Sequence, residues 1–198
     1  MNIVFDLGGV VLTWEPDRII AGVFDDPDVQ NLVLREVFQH QDWLELDRGT
    51  LERDRAIERA VVRTDLSKDE VSRLMLQVPD GLRLKPDTLA LVRRVKAAGH
   101  RVFCLSNMHA ASMAHLEETY DFWDVFDGLV ISCRVYMIKP EPEIYQHLLE
   151  RFDLVPGETV FVDDLETNVQ AASEQGIQTI RFESPEQCEV ELKALGCL

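Results

Sequence analysis

Residues 2–12, NIVFDLGGVVL, set the pattern that the rest of the chain follows. The apolar run 3–5 is typical of a buried strand, long enough to cross a sheet and too short to cross a membrane. Asp6 stands at the carboxyl end of this strand, ahead of the flexible pair Gly8–Gly9. Ligands bind at this end of the strands in an open parallel sheet. Asp6 is therefore either a carboxylate that attacks an electrophile or binds a metal, or an ordinary turn residue.

Predicted strands and helices alternate from Lys85 to the C-terminus. This alternation predicts an α/β fold with a doubly wound parallel sheet, to which the first strand also belongs. We expect the α/β core to comprise residues 1–13 and 85–198. The helices of the core include one opened by Pro86 and one from Pro140 to Phe152, and the further strands are Arg101–Leu105, Gly128–Ser132, Thr159–Val162 and Ile177–Arg181.

Residues 14–84 carry helical periodicity and no convincing strand. Ser67 is expected to cap one helix, and the segment from Thr50 resembles a capping box that lacks its acidic last residue. The region is several times longer than a usual crossover connection. We therefore expect an inserted cap of four or five helices, although crossover helices of the main fold are the alternative.

Charge and cysteine content restrict the classes of partner. The 20 basic and 36 acidic residues give a formal net charge of −16, which argues against nucleic acid and acidic membrane as partners. A small phosphorylated metabolite stays possible, because it needs only a local cation or a metal. The four cysteines show no zinc-site spacing, and the N-terminus lacks the features of a signal peptide, so a cytoplasmic location is expected. The oligomeric state is not readable from the sequence.

Polar residues follow three of the predicted strands at their carboxyl ends. They are Asp6, Ser106–Asn107 and Asp163–Asp164, and a loop on the same side carries Lys139. Each is an ordinary turn or surface residue when taken alone. A parallel sheet would bring them to one edge, where together they offer a nucleophile, phosphate-binding donors, a cation and an acidic cluster. This combination suits phosphoryl transfer with Mg²⁺, a hard cation that prefers oxygen ligands.

Four segments then resemble a known family in their order and spacing. They are FDLGGVV at 5–11, LSN at 105–107, IKPEPEIY at 138–145 and VFVDDLETN at 160–168. With them, the chain resembles a haloacid dehalogenase-superfamily hydrolase of the magnesium-dependent phosphatase type, whose small α-helical cap follows the first strand. The resemblance runs nearly end to end and implies hydrolysis of a small phosphate monoester.

The resemblance also implies roles for individual residues. Asp6 would be the nucleophile, forming an aspartyl-phosphate that water hydrolyses, and it would bind Mg²⁺ with the backbone carbonyl of Gly8. Asp164 would be the further metal ligand and Asp163 would support it directly or through water.

Three more residues would act on the phosphate. Ser106 and Asn107 would hold it, and Lys139 would neutralise the phosphate and the nucleophile together. Asn168, one helical turn after the acidic pair, is expected to lie outside the first layer of contacts.

The chain departs from the family at Gly8, where most of its phosphatases carry an aspartate that serves as general acid and base. Either another group such as His40 or Asp42 replaces it, or the leaving group needs little help, or turnover is slow. If the alcohol must leave without protonation, substrates with a more acidic hydroxyl are favoured. Sugar 1-phosphates fit this requirement, because a hydroxyl on an anomeric carbon is more acidic than a primary alcohol. Cap residues are expected to set specificity, with His40, Trp43 and Arg48 as the candidates. The alternative is that Trp43 is only a core residue of the cap and Arg48 only a surface charge.

The sequence is also compatible with two alternatives to a phosphatase. A metal-independent 2-haloacid dehalogenase also uses an aspartate nucleophile, but two acids beside an anionic substrate would be unhelpful there without a cation. A weakly active or non-catalytic regulatory protein would explain Gly8, but the retained Asp6, Lys139 and acidic pair argue against decay of the site.

Overall fold

The computed structural model describes residues 1–198 and contains one sheet of five parallel strands. Its strand order is β3-β2-β1-β4-β5, so the strand of the opening stretch lies at the centre, as the doubly wound prediction requires. Phe5 is in register with both Cys104 and Val162, which brings the carboxyl ends of the three central strands level. The strands are β1 (Asn2–Phe5), β2 (Arg101–Ser106), β3 (Gly128–Ile131), β4 (Thr159–Asp163) and β5 (Gln178–Arg181).

The middle residues of the central strands are apolar because both faces of the sheet are covered by helices. On β1, Ile3 and Phe5 pack into one hydrophobic cluster, while Val4 packs into another on the opposite face. The helices of the core are α6 (Pro86–Ala97), α7 (Ala110–Thr119), α8 (Ser132–Val135), α9 (Pro142–Phe152), α10 (Glu166–Glu174) and α11 (Pro185–Ala194).

Five helices, which we call the cap helices, lie between β1 and α6. They surround a third hydrophobic cluster, built only from residues of this part of the chain. The cap helices are α1 (Pro16–Ala21), α2 (Pro27–Val33), α3 (Gln41–Arg48), α4 (Arg53–Thr64) and α5 (Lys68–Gly81), with a π-helical turn at Leu34–Phe38. No helix of the structure combines the length and the apolar composition that a membrane span requires.

Several predicted boundaries shift by one or two residues. The expected strand 128–132 stops at Ile131, because Ser132 begins the short helix α8, and the helix expected from Pro140 begins at Pro142. Ser67 forms the predicted cap as part of a complete capping box with Glu70. The expected cap at Thr50 is wrong, because its hydroxyl donates instead to the carbonyl of Glu45 and α4 begins three residues later.

The cap helices join the core through two adjacent chain crossings. Leu12 and Leu84 form an antiparallel bridge, and the Lys85 N–H donates to the carbonyl of Val11 at 2.9 Å. The Thr13 hydroxyl donates to the carbonyl of Gly81 at 2.7 Å. These bonds fix the entry and exit of the cap segment beside the carboxyl end of β1, where the predicted site residues lie.

Candidate active site

Asp6 is the first residue beyond β1, and the fold holds its carboxylate in place. Its N–H donates to the carbonyl of Val162 at 2.9 Å, continuing the β1–β4 ladder by one residue. The N–H of Leu7 donates to Asp6 Oδ1 at 2.7 Å. The Nζ of Lys139 lies 3.0 Å from the same oxygen. The side chain is buried, so its orientation is set by the protein and not by solvent.

Lys139 lies between two carboxylates and is itself buried. Its Nζ is 2.6 Å from Asp163 Oδ2 and donates to the carbonyl of Leu105 at 3.1 Å, in addition to its contact with Asp6. Asn107 holds the lysine backbone at both ends, since Nδ2 donates to the Lys139 carbonyl and Oδ1 accepts from the Lys139 N–H, each at 2.9 Å. The Asn107 side chain is therefore used to position Lys139.

The two adjacent aspartates have different surroundings. Asp163 is fully buried and its oxygens accept from Lys139, from the N–H of Leu165 at 2.8 Å, and twice from Asn168 Nδ2 at 3.1 Å. These four hydrogen bonds occupy the lone-pair positions of a carboxylate. Asp164 is half-buried and its carboxylate faces the Gly8–Gly9 turn.

The donor set fits a hard divalent cation. Asp6, Asp163 and Asp164 each bring a carboxylate oxygen to within 4.8 Å of the others, and oxygen is the ligand that Mg²⁺ prefers. Because Asp163 already accepts four hydrogen bonds, Asp6 and Asp164 are the two carboxylates of this cluster with free coordination positions. Asp163 would act on such an ion through Lys139 and through water.

Burial and mutual repulsion set the electrostatics of this cluster. Burial raises the pKa of Asp6 to about 7, although the Lys139 ammonium opposes the shift. Burial alone would lower the pKa of Lys139, but the charges of Asp163 and Asp6 outweigh it and raise that pKa. Burial, followed by the charge of Asp163, also raises the pKa of Asp164. The three carboxylates at this edge thus outnumber the two lysines that act on them, Lys139 and Lys85, which favours a bound cation.

Gly9 is required by the close approach of the acidic pair. Its φ of +76° lies in the region that favours glycine, and a Cβ there would overlap the carboxylate of Asp164. The Gly9 carbonyl accepts a hydrogen bond from Lys85 Nζ at 2.8 Å, which fixes the turn. Gly8 differs, because a Cβ at that position would meet only Trp14 Cβ at 3.9 Å, an ordinary contact.

We expect Gly9→Ala to weaken magnesium binding by about 10- to 100-fold, the usual scale when the support of a metal ligand is lost. The new methyl group must displace the Asp164 carboxylate. Titration of the protein with Mg²⁺, followed by calorimetry, measures the change. Gly157→Ala is the matched control, since its Cβ meets nothing within 4 Å and its φ is not positive. Equal affinities in the two variants would contradict this role for Asp164.

The buried hydroxyl of Ser106, the last residue of β2, forms no well-aligned hydrogen bond, although it lies close enough to Asp6 to lower the pKa of that carboxyl group. A buried polar atom without a partner is unusual in a native structure, and it points to a ligand. Because Ser106 ends the strand beside β1, this hydroxyl is available to a phosphate oxygen next to Asp6.

A cavity of about 310 Å³ lies between this edge of the sheet and the cap helices. Its floor includes Asp6, Gly8, Asn107, Lys139 and Asp164. The cap side is mainly apolar, with Trp14, Leu34, Phe38, Trp43, Val78 and Leu82. A ligand held by the floor would therefore place the rest of its structure against an aromatic and aliphatic wall.

The cap residues singled out in the sequence have separate roles. Trp43 lines the cavity and also packs in the cap cluster against Phe38, with ring centroids 4.6 Å apart. His40 lies outside the cavity and caps α3, its Nδ1 accepting from the N–H of Asp42 at 3.0 Å. Arg48 also lies outside, and it pairs with Glu141 of the core at 2.5 and 2.6 Å. Arg48 therefore fastens the cap to the core.

Two titratable residues of the cavity were missed in the sequence, Asp47 and His109. Asp47 is one of several acidic residues on amphipathic cap helices, and no local pattern separates it from the others. His109 lies two residues beyond Asn107 and could have been suspected from that spacing. Its Nδ1 accepts from the N–H of Ser112, so it caps α7.

This geometry, a carboxylate at the central strand with a buried lysine and an acidic pair beside it, defines a hydrolase of one family. The chain belongs to the haloacid dehalogenase-like hydrolases, whose family description matches residues 1–176. Over 195 residues it is 31% identical to the sesquiterpene phosphatase astK of Aspergillus oryzae, covering 98% of this chain and 96% of that protein.

Two further similarities come from Bacteroides thetaiotaomicron. A D-ribitol-5-phosphate phosphatase is 27% identical over 207 residues, covering 98% of this chain and 97% of the relative. A crystal structure of a family enzyme in complex with magnesium and inorganic phosphate superposes with a TM-score of 0.72 at 22% identity, covering 92% and 93% of the two chains. At this identity the structural likeness establishes the shared fold.

Proposed function

We propose that the protein is a magnesium-dependent phosphatase that hydrolyses a small phosphate monoester through an aspartyl-phosphate on Asp6. The observation that carries this proposal is the buried Lys139 ammonium, 3.0 Å from Asp6 and 2.6 Å from Asp163, beside a three-carboxylate cluster. A charged group of this kind positions and neutralises a phosphoryl group, on which negative charge is spread over several oxygens.

Each residue has a role in the proposed reaction. An Asp6 oxygen attacks phosphorus, the bond from phosphorus to the alcohol oxygen breaks, and water then attacks the phosphorus of the aspartyl-phosphate. The Ser106 hydroxyl and the backbone beyond it bind phosphate oxygens, because the Asn107 side chain is engaged with Lys139. Lys139 balances the charge of the phosphate and favours the ionised form of Asp6 against the effect of burial.

Asp6, the carbonyl of Gly8 and Asp164 would hold Mg²⁺, with Asp163 in support. When bound, the ion offsets the repulsion between the phosphate and the carboxylates. The protein orients these ligands itself, since the backbone hydrogen bonds of Asp6 and the Gly8–Gly9 turn fix their positions.

Two classes of substrate are considered, which differ in the alcohol that the reaction releases. Sugar phosphates are supported by the leaving-group argument from Gly8 and by relatives named as phosphatases of ribitol 5-phosphate and of phosphorylated carbohydrates. The apolar cap side of the cavity favours an apolar alcohol instead, and the relative from Aspergillus oryzae is named as a sesquiterpene phosphatase. Buried hydroxyl groups of a sugar would need hydrogen-bond partners, and Gln39 and Asp47 are the polar residues that the cap helices bring to this cavity.

Phosphate release from a chromogenic aryl phosphate, with Mg²⁺ and with a chelator, tests the proposed activity. We expect release to depend on the ion and to be restored when Mg²⁺ is added back. Activity that a chelator does not change would contradict the proposal and would favour the metal-independent dehalogenase. Release of halide from a 2-haloacid would then identify that activity. A parallel comparison of farnesyl phosphate with glucose 1-phosphate separates the two classes of alcohol.

A further inference from the structure

An alkoxide leaving group must take up a proton, and the chain lacks the family's usual acid at Gly8. We propose, on the basis of the phosphatase activity proposed above, that Asp47 of the cap is the general acid and base of the reaction. General acid–base catalysis typically contributes about a hundred- to ten-thousand-fold. The assignment gives this cap carboxylate a catalytic role that the sequence did not indicate.

Asp47 lies in the last turn of α3 and lines the same cavity as Asp6, Gly8 and Lys139. Asp6 reaches this cavity from the end of β1 and Asp47 reaches it from α3, so the two carboxyl groups share one enclosed space. A group in this position faces the nucleophile from the cap side. The leaving oxygen departs from phosphorus opposite the attacking Asp6 oxygen, which is the direction of the cap.

The core holds Asp47 at this position. The Ser132 hydroxyl, at the end of β3, donates to the carbonyl of Asp47 at 2.5 Å and accepts from the N–H of Met108 at 2.8 Å. Met108 lies two residues beyond Ser106, so one chain of hydrogen bonds links the backbone of Asp47 to the loop that follows β2. Preorganised positioning of this kind is what an acid–base group needs.

The neighbouring residues strengthen this attachment. Arg48 forms its two-pronged ion pair with Glu141 of the core. Gly49, with a φ of +82°, lies against the backbone of Cys133, where a Cβ would come within 2.7 Å of the carbonyl oxygen. The end of α3 thus packs directly on α8, and Asp47 keeps its place over the site.

The protonation equilibrium of Asp47 suits the role. No lysine or arginine forms an ion pair with this half-buried carboxyl group. Burial raises its pKa to about 7, and the charge of Asp6 adds to this, while the His109 backbone and the Trp43 side chain favour the ionised form. A carboxyl group with a pKa near neutrality is able both to give and to accept a proton.

The other titratable groups near the leaving group are less suitable. Burial lowers the pKa of His109 to about 4, and Ser112 engages both of its ring nitrogens. Asp42 is buried among the cap helices and paired with Arg59 and Arg63 at 2.9 and 2.5 Å, away from the cavity. Its arginine partners lower its pKa against the effect of burial. His40 and Asp42, the two replacements for the acid that the sequence suggested, do not line the cavity.

The proton balance is as follows. In the first step Asp6 attacks phosphorus, the phosphorus–alcohol bond breaks, and the Asp47 carboxyl proton passes to the leaving oxygen to give the neutral alcohol. In the second step ionised Asp47 takes a proton from the attacking water as its oxygen bonds to phosphorus. The bond to Asp6 breaks, releasing hydrogen phosphate and restoring the Asp6 carboxylate and the Asp47 acid.

The test compares Asp47→Asn with the parent on an aryl phosphate and on a simple alkyl phosphate, both with Mg²⁺. We compare kcat/KM, which reports only the steps up to formation of the aspartyl-phosphate. For the alkyl ester we expect kcat/KM to fall about a hundred-fold or more, the scale of a lost general acid. For the aryl ester, whose phenolate leaves without protonation, kcat/KM should stay close to that of the parent. Glu45→Gln on the same helix is the matched control, with both rates as in the parent.

A second variant separates catalysis from folding. Gly8→Asp in the Asp47→Asn background places a carboxylate where the cavity has room, and we expect it to restore at least part of the alkyl rate. Equal losses on the two esters, or no loss on either, in a folded Asp47→Asn protein would overturn the role of Asp47 alone. A parent protein that hydrolyses neither ester would overturn the phosphatase proposal and this inference with it.

Discussion

Asp6→Asn should abolish turnover while the fold is kept. The amide has the shape of the carboxylate but not its nucleophilicity, so no aspartyl-phosphate forms, and we expect kcat to fall at least roughly ten-thousand-fold, the scale of a lost nucleophile. The fold should survive because Lys139 keeps its 2.6 Å contact with Asp163. Removing a buried charge whose pKa burial raises also costs the folded state little.

The measurement is phosphate release from the aryl ester, with circular dichroism to confirm that the variant is folded. Asp25→Asn, in an exposed loop, is the matched control and should keep the parent's rate. Phosphate release by Asp6→Asn within a few-fold of the control would remove Asp6 from the mechanism.

Replacing each of the two adjacent aspartates by alanine should affect different properties of the protein, stability for Asp163 and Mg²⁺ affinity for Asp164. Asp163→Ala leaves the Lys139 ammonium and the Asn168 amide buried with fewer partners, and breaking such a pair costs about 3–5 kcal/mol of unfolding free energy. Asp164→Ala removes a half-buried carboxylate whose pKa burial and Asp163 raise, so its loss should not destabilise the metal-free protein. Its cost should appear instead as weakened Mg²⁺ binding.

Urea unfolding without metal and calorimetric titration with Mg²⁺ measure the two effects on the same preparations. From the sequence alone, Asp163→Ala is expected to have a smaller effect on the dependence of activity on Mg²⁺ than Asp164→Ala. The structure adds that Asp163 acts through the fold, because four hydrogen bonds occupy its oxygens. Similar losses of stability in both variants would contradict this division.

The sheet and its active edge could be predicted because their signals are local. Each central strand is an apolar run followed at once by a polar residue, and parallel topology brings such residues together whatever the intervening chain does. Asp6, Ser106 and Asp163 follow this rule. The ends of helices and strands were harder to predict, because some residues take part in a competing local structure. Ser132 begins a short helix instead of ending β3, and the Thr50 hydroxyl bonds to the carbonyl of Glu45 instead of capping α4.

Long-range pairings could not be predicted. Asn107 forms hydrogen bonds with Lys139, 32 positions along the chain, and Ser132 with Asp47, 85 positions away. No local sequence pattern indicates either pairing. Asp47 is distinguished from the other acidic residues of the cap only by what folding places around it. The missing acid at Gly8 made a replacement one of three possible explanations, but which residue could replace it depends on how α3 packs on the core.

Borohydride trapping during turnover tests the central claim most directly, because borohydride reduces an acyl phosphate on aspartate to homoserine. The parent protein would be mixed with the aryl phosphate and Mg²⁺, reduced, and analysed by peptide mass spectrometry. We predict conversion of residue 6 to homoserine that requires both substrate and Mg²⁺ and is absent from Asp6→Asn. Continued hydrolysis with residue 6 unmodified, or with the label on another aspartate, would contradict an aspartyl-phosphate on Asp6.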